Sequence, residues 1–391
     1  MAEKIPPEIS FVLLCACSNP GKEHCDMIKN AANHVLDWNA VYKIAQNHRI
    51  LPLLYINIKN NLHDRVDADV SSRLKRDCVY IAARSLYFSS VLNKIIALFR
   101  MHNIKVLPLK GPVVAKDLYG DAGIRVFSDL DILVEKYDAE KAWAVFLENG
   151  FQPELNLNAN QFRKFIRYED NISFLNKSRN VSIELHWEMS GFYLSKPLRF
   201  NHVEKNFRKI SINKTEISNL SEEHLLIFLC IHGAKHGWEH LEQVCCVAEI
   251  IRKKNINWGI VNQAILDWQC RRMVYLGLYL SWDLLMAPIP GLILDEIKKD
   301  KKIPVLANKV ITSMFNKSSD HTDKDITNRF SSFHIEIRDK LSDKFKYIFR
   351  LIFCPTNEDW KEFPLPAGIS FFHFVLRPCR LILAGLKNTN A

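Results

Sequence analysis

The chain has 391 residues, 48% of them apolar and 25% charged, a composition that excludes a disordered or fibrous protein. Its 53 Lys and Arg outnumber 43 Asp and Glu, and the resulting net charge of +10 favours an anionic partner without choosing among nucleotide, nucleic acid, acidic polymer and membrane surface. Length alone suggests two to three domains, at about 150 residues each, and a chain of this size can bury roughly three quarters of its unfolded surface without covalent staples. The ten cysteines show no C-x-x-C pairing and read as reduced thiols. Leu276 to Leu294, the most hydrophobic region, contains Asp283, Pro288 and Pro290, so it reads as a core helix and its exit. Phe11 to Cys17 resembles a short export-signal core, but Pro6, Pro7 and Glu8 precede it. A cytoplasmic protein with no membrane span is expected.

In chain order, residues 31–103 predict helices, with Trp38, Val41, Tyr42 and Ala45 at helical spacing. Between 104 and 187 the pattern changes to short β-branched runs at 104–107, 130–134, 172–175 and 181–185. One helix is predicted from Pro112 to Tyr119 and another from Asp138 to Asn149, the latter stopped by Asn149-Gly150. Phe207 to Leu220 reads as a further hairpin. Ser221 with Glu222 and Glu223 then opens a run of helices, predicted over 221–236, 241–254, 258–270 and 271–286. A basic linker is expected at 298–302 and a polar break at 318–325. A last amphipathic helix is expected over about 371–386, interrupted by Pro378. The fold class is α+β: an N-terminal helical region (1–103), a small mixed-sheet domain (104–220) and a C-terminal helical region (221–391).

The strongest chemical signal is Ser128-Asp129-Leu130-Asp131 at the start of a predicted strand. Residues two apart on a strand share a face, so Asp129 and Asp131 lie together while Leu130 and Ile132 face the core. Two such carboxylates repel unless a cation sits between them, and oxygen ligands of this kind suit Mg²⁺. An isolated D-x-D is more often a solvated strand end with two unrelated acids. Upstream, Lys110-Gly111-Pro112 breaks a strand and opens a helix whose free N–H groups and lysine suit a phosphate. A plain strand–turn–helix junction has the same look. Downstream, Glu184 and His186 share one face of the strand 181–185, where Glu184 can complete a two-metal site or accept a proton.

The order LPLKGPVVAKDLYGDAGIRVFSDLDILV, then VSIELHW, resembles the uncharacterised nucleotidyltransferase family of the polymerase-β-like superfamily. The resemblance extends through HGAKHGWEHLEQV, CPTNEDW and LRPCRL, nearly the whole chain. It implies a polymerase-β-like catalytic domain that transfers a nucleoside monophosphate from an NTP to an acceptor, with pyrophosphate leaving. Asp129 and Asp131 would hold Mg²⁺, two ions in all, with Mn²⁺ as the alternative. Glu184 would be the third acidic ligand and base. Lys110 and Gly111 would cradle phosphate, Arg125 would neutralise its charge, and Ser128 and His186 would join the substrate site. The acceptor is open among a small molecule, a peptide or protein side chain, and an RNA end, with the first two favoured. The phosphate turn is Lys-Gly where the superfamily carries Gly-Ser, and the D-x-D begins 18 positions after Gly111. Glu184 stands where Asp is commoner, and Cys246 where an acid is expected. These departures sustain a second reading, a weak or degenerate transferase that binds nucleotide or RNA.

His232, His236 and His240 fall on one stripe of a predicted helix with Cys245 and Cys246 beyond, a spacing that permits zinc or else histidines lining a cleft. Cys15, Cys17, His24 and Cys25 make a looser set. Phe371, Phe372, Phe374 and Val375 with Arg377 and Arg380 suggest either a helix closing on the core or a surface for membrane or polyanion.

Overall fold

The computed structural model describes residues 6–34, 36–62, 65–176, 181–194, 196–315 and 331–389. Its architecture is α+β. Helices Pro7–Leu14, Lys22–Ala31, Trp38–Asn47, Leu51–Asn61 and the long Ala68–Met101 precede a mixed sheet, and helices again dominate after Ser221. The sheet strands are β1 (Val106–Pro108), β2 (Asp129–Val134), β3 (Gln152–Pro153), β4 (Asn171–Asn176) and β5 (Val181–His186), in the order β1-β2-β5-β4-β3. Only β2 and β5 run parallel; the other neighbours are antiparallel. A separate hairpin joins β6 (Arg208–Ile212) to β7 (Thr215–Asn219).

Most predicted elements are present within a few residues of their expected ends. The Ala139–Glu148 helix stops at Asn149, and Gly150 follows in the left-handed region at φ 77°. Four helices, Glu222–Lys235, Leu241–Lys253, Trp258–Asp267 and Arg271–Leu285, follow Ser221, whose hydroxyl caps the first by accepting from His224 N–H. The two-residue strand β3 and the Ala159–Phe165 helix, closed by an Asn158–Gln161 capping box, had no sequence expectation. Residues 298–302 are not a linker: helix Gly291–Lys299 runs to Lys299 and helix Lys302–Phe315 begins at Lys302. Basic residues in a last turn complement the helix dipole and need not mark a break. The polar break expected at 318–325 lies outside the described residues.

Alternation along β2 divides the molecule. Leu130, Ile132 and Val134 join a core with Phe99, Phe146, Phe174 and Ile183, whereas Leu133 joins a larger core built mainly from the N- and C-terminal helices. Asp129 and Asp131 share the parity of Leu133, so they face those helices. The Phe11–Cys17 segment is buried in the larger core, with Phe11, Val12, Cys15 and Ala16 fully inaccessible. All ten cysteines are free. Among the described residues one helix, Ala68–Met101, is long and apolar enough to cross a membrane by length and composition. It buries Val91, Leu92, Ile95 and Ile96 against the sheet side of the molecule.

A tight approach explains the glycine in His232-Gly233-Ala234. The Glu222–Lys235 helix ends just beyond it, and Trp238, at φ 56°, folds its ring back over Gly233. A Cβ on Gly233 would come within 2.5 Å of that ring. Gly233→Ala should therefore destabilise the protein by about 1–3 kcal/mol through overpacking, read as a lower denaturation midpoint with a shifted Trp fluorescence.

The C-terminal helix His373–Thr389 runs through Pro378 rather than breaking there. It is clasped one residue earlier: Arg377 donates to Asp359 at 2.6 Å and to the Leu351 carbonyl, and Arg380 donates to Asp359 at 2.6 Å. Burial would raise the Asp359 carboxyl, but the Thr356 N–H, Arg377 and Arg380 outweigh it and hold it below its ordinary value. A depressed carboxylate contributes stability above its unfolded pKa and loses it as pH falls through the folded one. Asp359→Ala should cost about 3–5 kcal/mol at neutral pH, because it strands two guanidiniums. The gap between variant and wild type should narrow as melting is followed into acid.

Candidate functional site

The site forms where β2 and β5 lie side by side. Their register sets Asp131 opposite Glu184, Asp129 opposite Ser182 and Leu133 opposite His186, all on one face of the sheet. β4 continues that face with Ser173 opposite Glu184 and Asn171 opposite His186. From the other side, Leu109 N–H bonds to the Asp131 carbonyl and brings Lys110 alongside β2. Gly111 follows at φ 67°, a turn that disfavours any side chain, and caps the Pro112–Tyr119 helix.

Asp131 is the centre of the charges. It is 2% exposed, and its Oδ1 accepts from Lys110 Nζ at 2.9 Å and His186 Nε2 at 3.3 Å. The same His186 nitrogen lies 3.2 Å from Glu184 Oε2. Burial would raise the Asp131 carboxyl, yet Lys110 and His186 hold it well below the usual carboxylate range. Burial would likewise lower His186, but its contacts with Asp131 and Glu184 push it up to about 9, so it is charged at neutral pH. Glu184 is held low by His186 against the effect of burial. Asp129 moves the other way, raised by burial and by the charge of Asp131. The buried Asp131 Oδ2 has no hydrogen-bond partner. Among the described residues, Asp131, Glu184 and His186 bring potential metal-ligand atoms within 4.8 Å of one another. The charged His186 would have to lose its proton to ligate, so the carboxylates are the available donors.

These residues line one cleft of about 460 Å³ between the sheet and the helices that follow Ser221. All eight residues expected at the site, Lys110, Gly111, Arg125, Ser128, Asp129, Asp131, Glu184 and His186, lie on its wall. Two have partners that the sequence did not suggest. Lys110 is committed to Asp131, and Arg125 is buried against Glu242, its Nε donating to Oε1 while Nη1 stays unpaired. Glu242 stands one helical turn before Cys246, where an acid was expected, and the Cys246 thiol donates to it at 3.0 Å. Its place in the first turn of the Leu241–Lys253 helix had the look of an ordinary dipole-stabilising acid.

The facing helices supply the rest of the wall. His232 and His236 pack edge-on at 4.5 Å between ring centroids beside Lys235, and His240 caps the next helix. The stripe that permits zinc is broken because the helix ends at Lys235, so these histidines line the cleft. Desolvation, Lys235 and Lys110 push His236 down to about 3, which leaves it neutral. In the looser set, His24 bonds to the Leu14 carbonyl and Cys25 to the Pro20 carbonyl. Arg49, Lys235, Asn171 and Ser173 also line the cleft without any local motif to announce them.

A buried, partly neutralised carboxylate cluster beside a basic cleft wall suits a metal-bound phosphate ester. No match to a curated protein or to a solved structure was found. Residues 34–285, well over half of the chain and including every residue of this cluster, match the family described as "Uncharacterised nucleotidyltransferase", and the chain belongs to that family.

Proposed function

We propose that the chain is a divalent-metal-dependent nucleotidyltransferase that moves a nucleoside monophosphate from an NTP to a hydroxyl or amine of a small molecule or peptide. The observation that carries this reading is the register that sets Asp131 opposite Glu184, with the buried Asp131 Oδ2 left without a partner. Charge supports it. Asp129, Asp131 and Glu184 face Lys110 and His186, so the cluster keeps one negative charge in excess. Hard oxygen donors suit Mg²⁺, with Mn²⁺ as the alternative.

Asp129, Asp131 and Glu184 would hold the divalent ion, which when bound would supply neutralisation of the charge that builds on the transferring phosphoryl group. The acceptor oxygen or nitrogen attacks the α-phosphorus, the bond to the bridging oxygen breaks, and its electron pair leaves with pyrophosphate. The acceptor proton passes to the Glu184 carboxylate, which His186 steadies from 3.2 Å. Lys110, the free Nη1 of Arg125 and the Ser128 hydroxyl orient the triphosphate. Positioning and charge neutralisation account for most of the acceleration, since the reaction asks little covalent chemistry of the protein.

The contrasting reading, a protein that binds nucleotide or RNA without turnover, draws on one observation. Lys110 and His186 both occupy Asp131 Oδ1, so fixed cations already stand where a metal would approach. Thermal-shift titration with ATP, GTP, CTP and UTP, with and without Mg²⁺, separates the two. The transferase should be stabilised by about 2.7 kcal/mol at a hundredfold excess over Kd, only with metal, and not in Asp129→Asn/Asp131→Asn. A shift that survives both the double substitution and metal removal favours the binding protein.

Lys110→Gln should destabilise the apoprotein by about 3–5 kcal/mol by stripping a buried carboxylate of its counter-ion. Mg²⁺ should then restore more stability to the variant than to the wild type in chemical denaturation. Equal responses to Mg²⁺ would count against Asp131 as a metal ligand.

A further inference from the structure

The cleft continues past Ser128. A second cavity of about 300 Å³ adjoins it, and Arg49, Val126, Phe127 and Ser128 line both. Its far wall is the Ala68–Met101 helix, which contributes Tyr80, Ile81 and Arg84. The loop that carries Arg125 to Ser128 is seated on that helix: a Cβ on Gly123 would lie 3.1 Å from the Ala82 Cβ. The cavity therefore has a fixed floor, and its inner end is the residue next to Asp129.

Arg125 is committed to Glu242, but Arg49 and Arg84 form no ion pair among the described residues. Arg84 is held in place by aromatic packing instead. Its guanidinium lies 4.9 Å from the Phe88 ring centroid, and Phe88 packs edge-on against Phe127 at 5.5 Å. Arg84 is thus a positioned guanidinium without an ion-pair partner among the described residues. Arg49 beside it is exposed and acts at longer range on Glu242, and together they make this cavity favourable for an anion. Tyr80, 65% exposed at the same rim, offers a ring to an apolar or planar body.

We propose that this second cavity is the acceptor subsite, and that it takes a small acceptor bearing a carboxylate or phosphate on an apolar or aromatic body. The assignment rests on the transferase reading above. An anionic acceptor must approach an anionic triphosphate, and Arg49, on the wall common to both cavities, offsets the repulsion between them. Arg84 borders only the outer cavity, so it discriminates between acceptor and nucleotide. The volume is at the low end of the range for small-ligand sites, which sets the scale of the acceptor group that enters.

Isothermal titration of the full chain with phenyl phosphate, benzoate and benzyl alcohol tests this. Each probe is run with and without Mg²⁺ and a non-hydrolysable analogue of the NTP that stabilises the chain most. The two anions should bind saturably and benzyl alcohol should not, and the tighter anion identifies the acceptor's charged group. Arg84→Gln should weaken anion binding about tenfold or more, roughly the loss of one charge-assisted hydrogen bond, and leave analogue affinity unchanged. Arg49→Gln, which borders both cavities, should weaken both ligands. Melting of each variant without ligand checks that the fold is kept, and Arg84→Lys should retain part of the binding. Equal binding of benzyl alcohol and the anions, or anion binding indifferent to Arg84→Gln, would overturn the subsite. Anion binding that survives while the analogue fails to bind wild type would sink the transferase reading and the acceptor role with it.

Discussion

A carboxylate removed from water costs several kcal/mol unless other charges meet it, and Asp131 is 2% exposed. The fold meets that cost with Lys110, carried in from the end of β1, and His186, carried in from the end of β5. Neither contact exists unless β1, β2 and β5 are in register, so the electrostatics of the site and the pairing of the sheet depend on each other. Lys110 is in turn aimed by the turn at Gly111, whose positive φ suits glycine alone. The chain thus carries its own counter-ions in the centre of the cleft, and the charge left over is negative.

The helix that begins after Gly111 is anchored at its other end by a second buried acid. Asp117 accepts from Arg208 on β6, from Asn219 on β7 and from Lys254 after the Leu241–Lys253 helix, the last at 2.9 Å. Burial would raise this carboxyl, and Arg208 and Lys254 hold it below its ordinary value. One side chain therefore ties the Pro112–Tyr119 helix to the hairpin and to the C-terminal helices. The Arg125–Glu242 pair makes a parallel tie from the loop before β2. Between these anchors the cleft wall is held from two sides, by Asp117 and by the Arg125–Glu242 pair.

Much of this was legible along the chain. Alternation in Asp129–Val134 and Val181–His186 marks strands with one apolar face, and the polar residues left over are the site. Asn149-Gly150 and Ser221 mark helix ends through local backbone chemistry, which distance along the chain does not disturb. The misses share a different cause. Lys298–Lys302 carries turn-like charge yet sits in two helix ends, and Pro378 lies inside a helix that Arg377 clasps to a residue 18 positions earlier. Glu242, Arg49 and Lys235 stand in ordinary helical or turn sequence, and nothing near them distinguishes a cleft wall from a solvated surface.

Local spacing by itself determined which carboxylates share a face, that a glycine turn with a lysine precedes a helix, and that an α+β core sits among helices. Those features depend on the two-residue period of a strand and on backbone preferences of single residues. Tertiary structure alone decided that Asp131 stands opposite Glu184, because parallel strands are joined through a long crossover whose length does not set the register. It also decided that Lys110 and His186 neutralise Asp131, that Glu242 rather than Cys246 meets Arg125, and that Arg49 and Arg84 converge beyond Ser128. Charges distant in sequence find their partners only when packing brings their backbones within reach, and burial then makes those pairings matter.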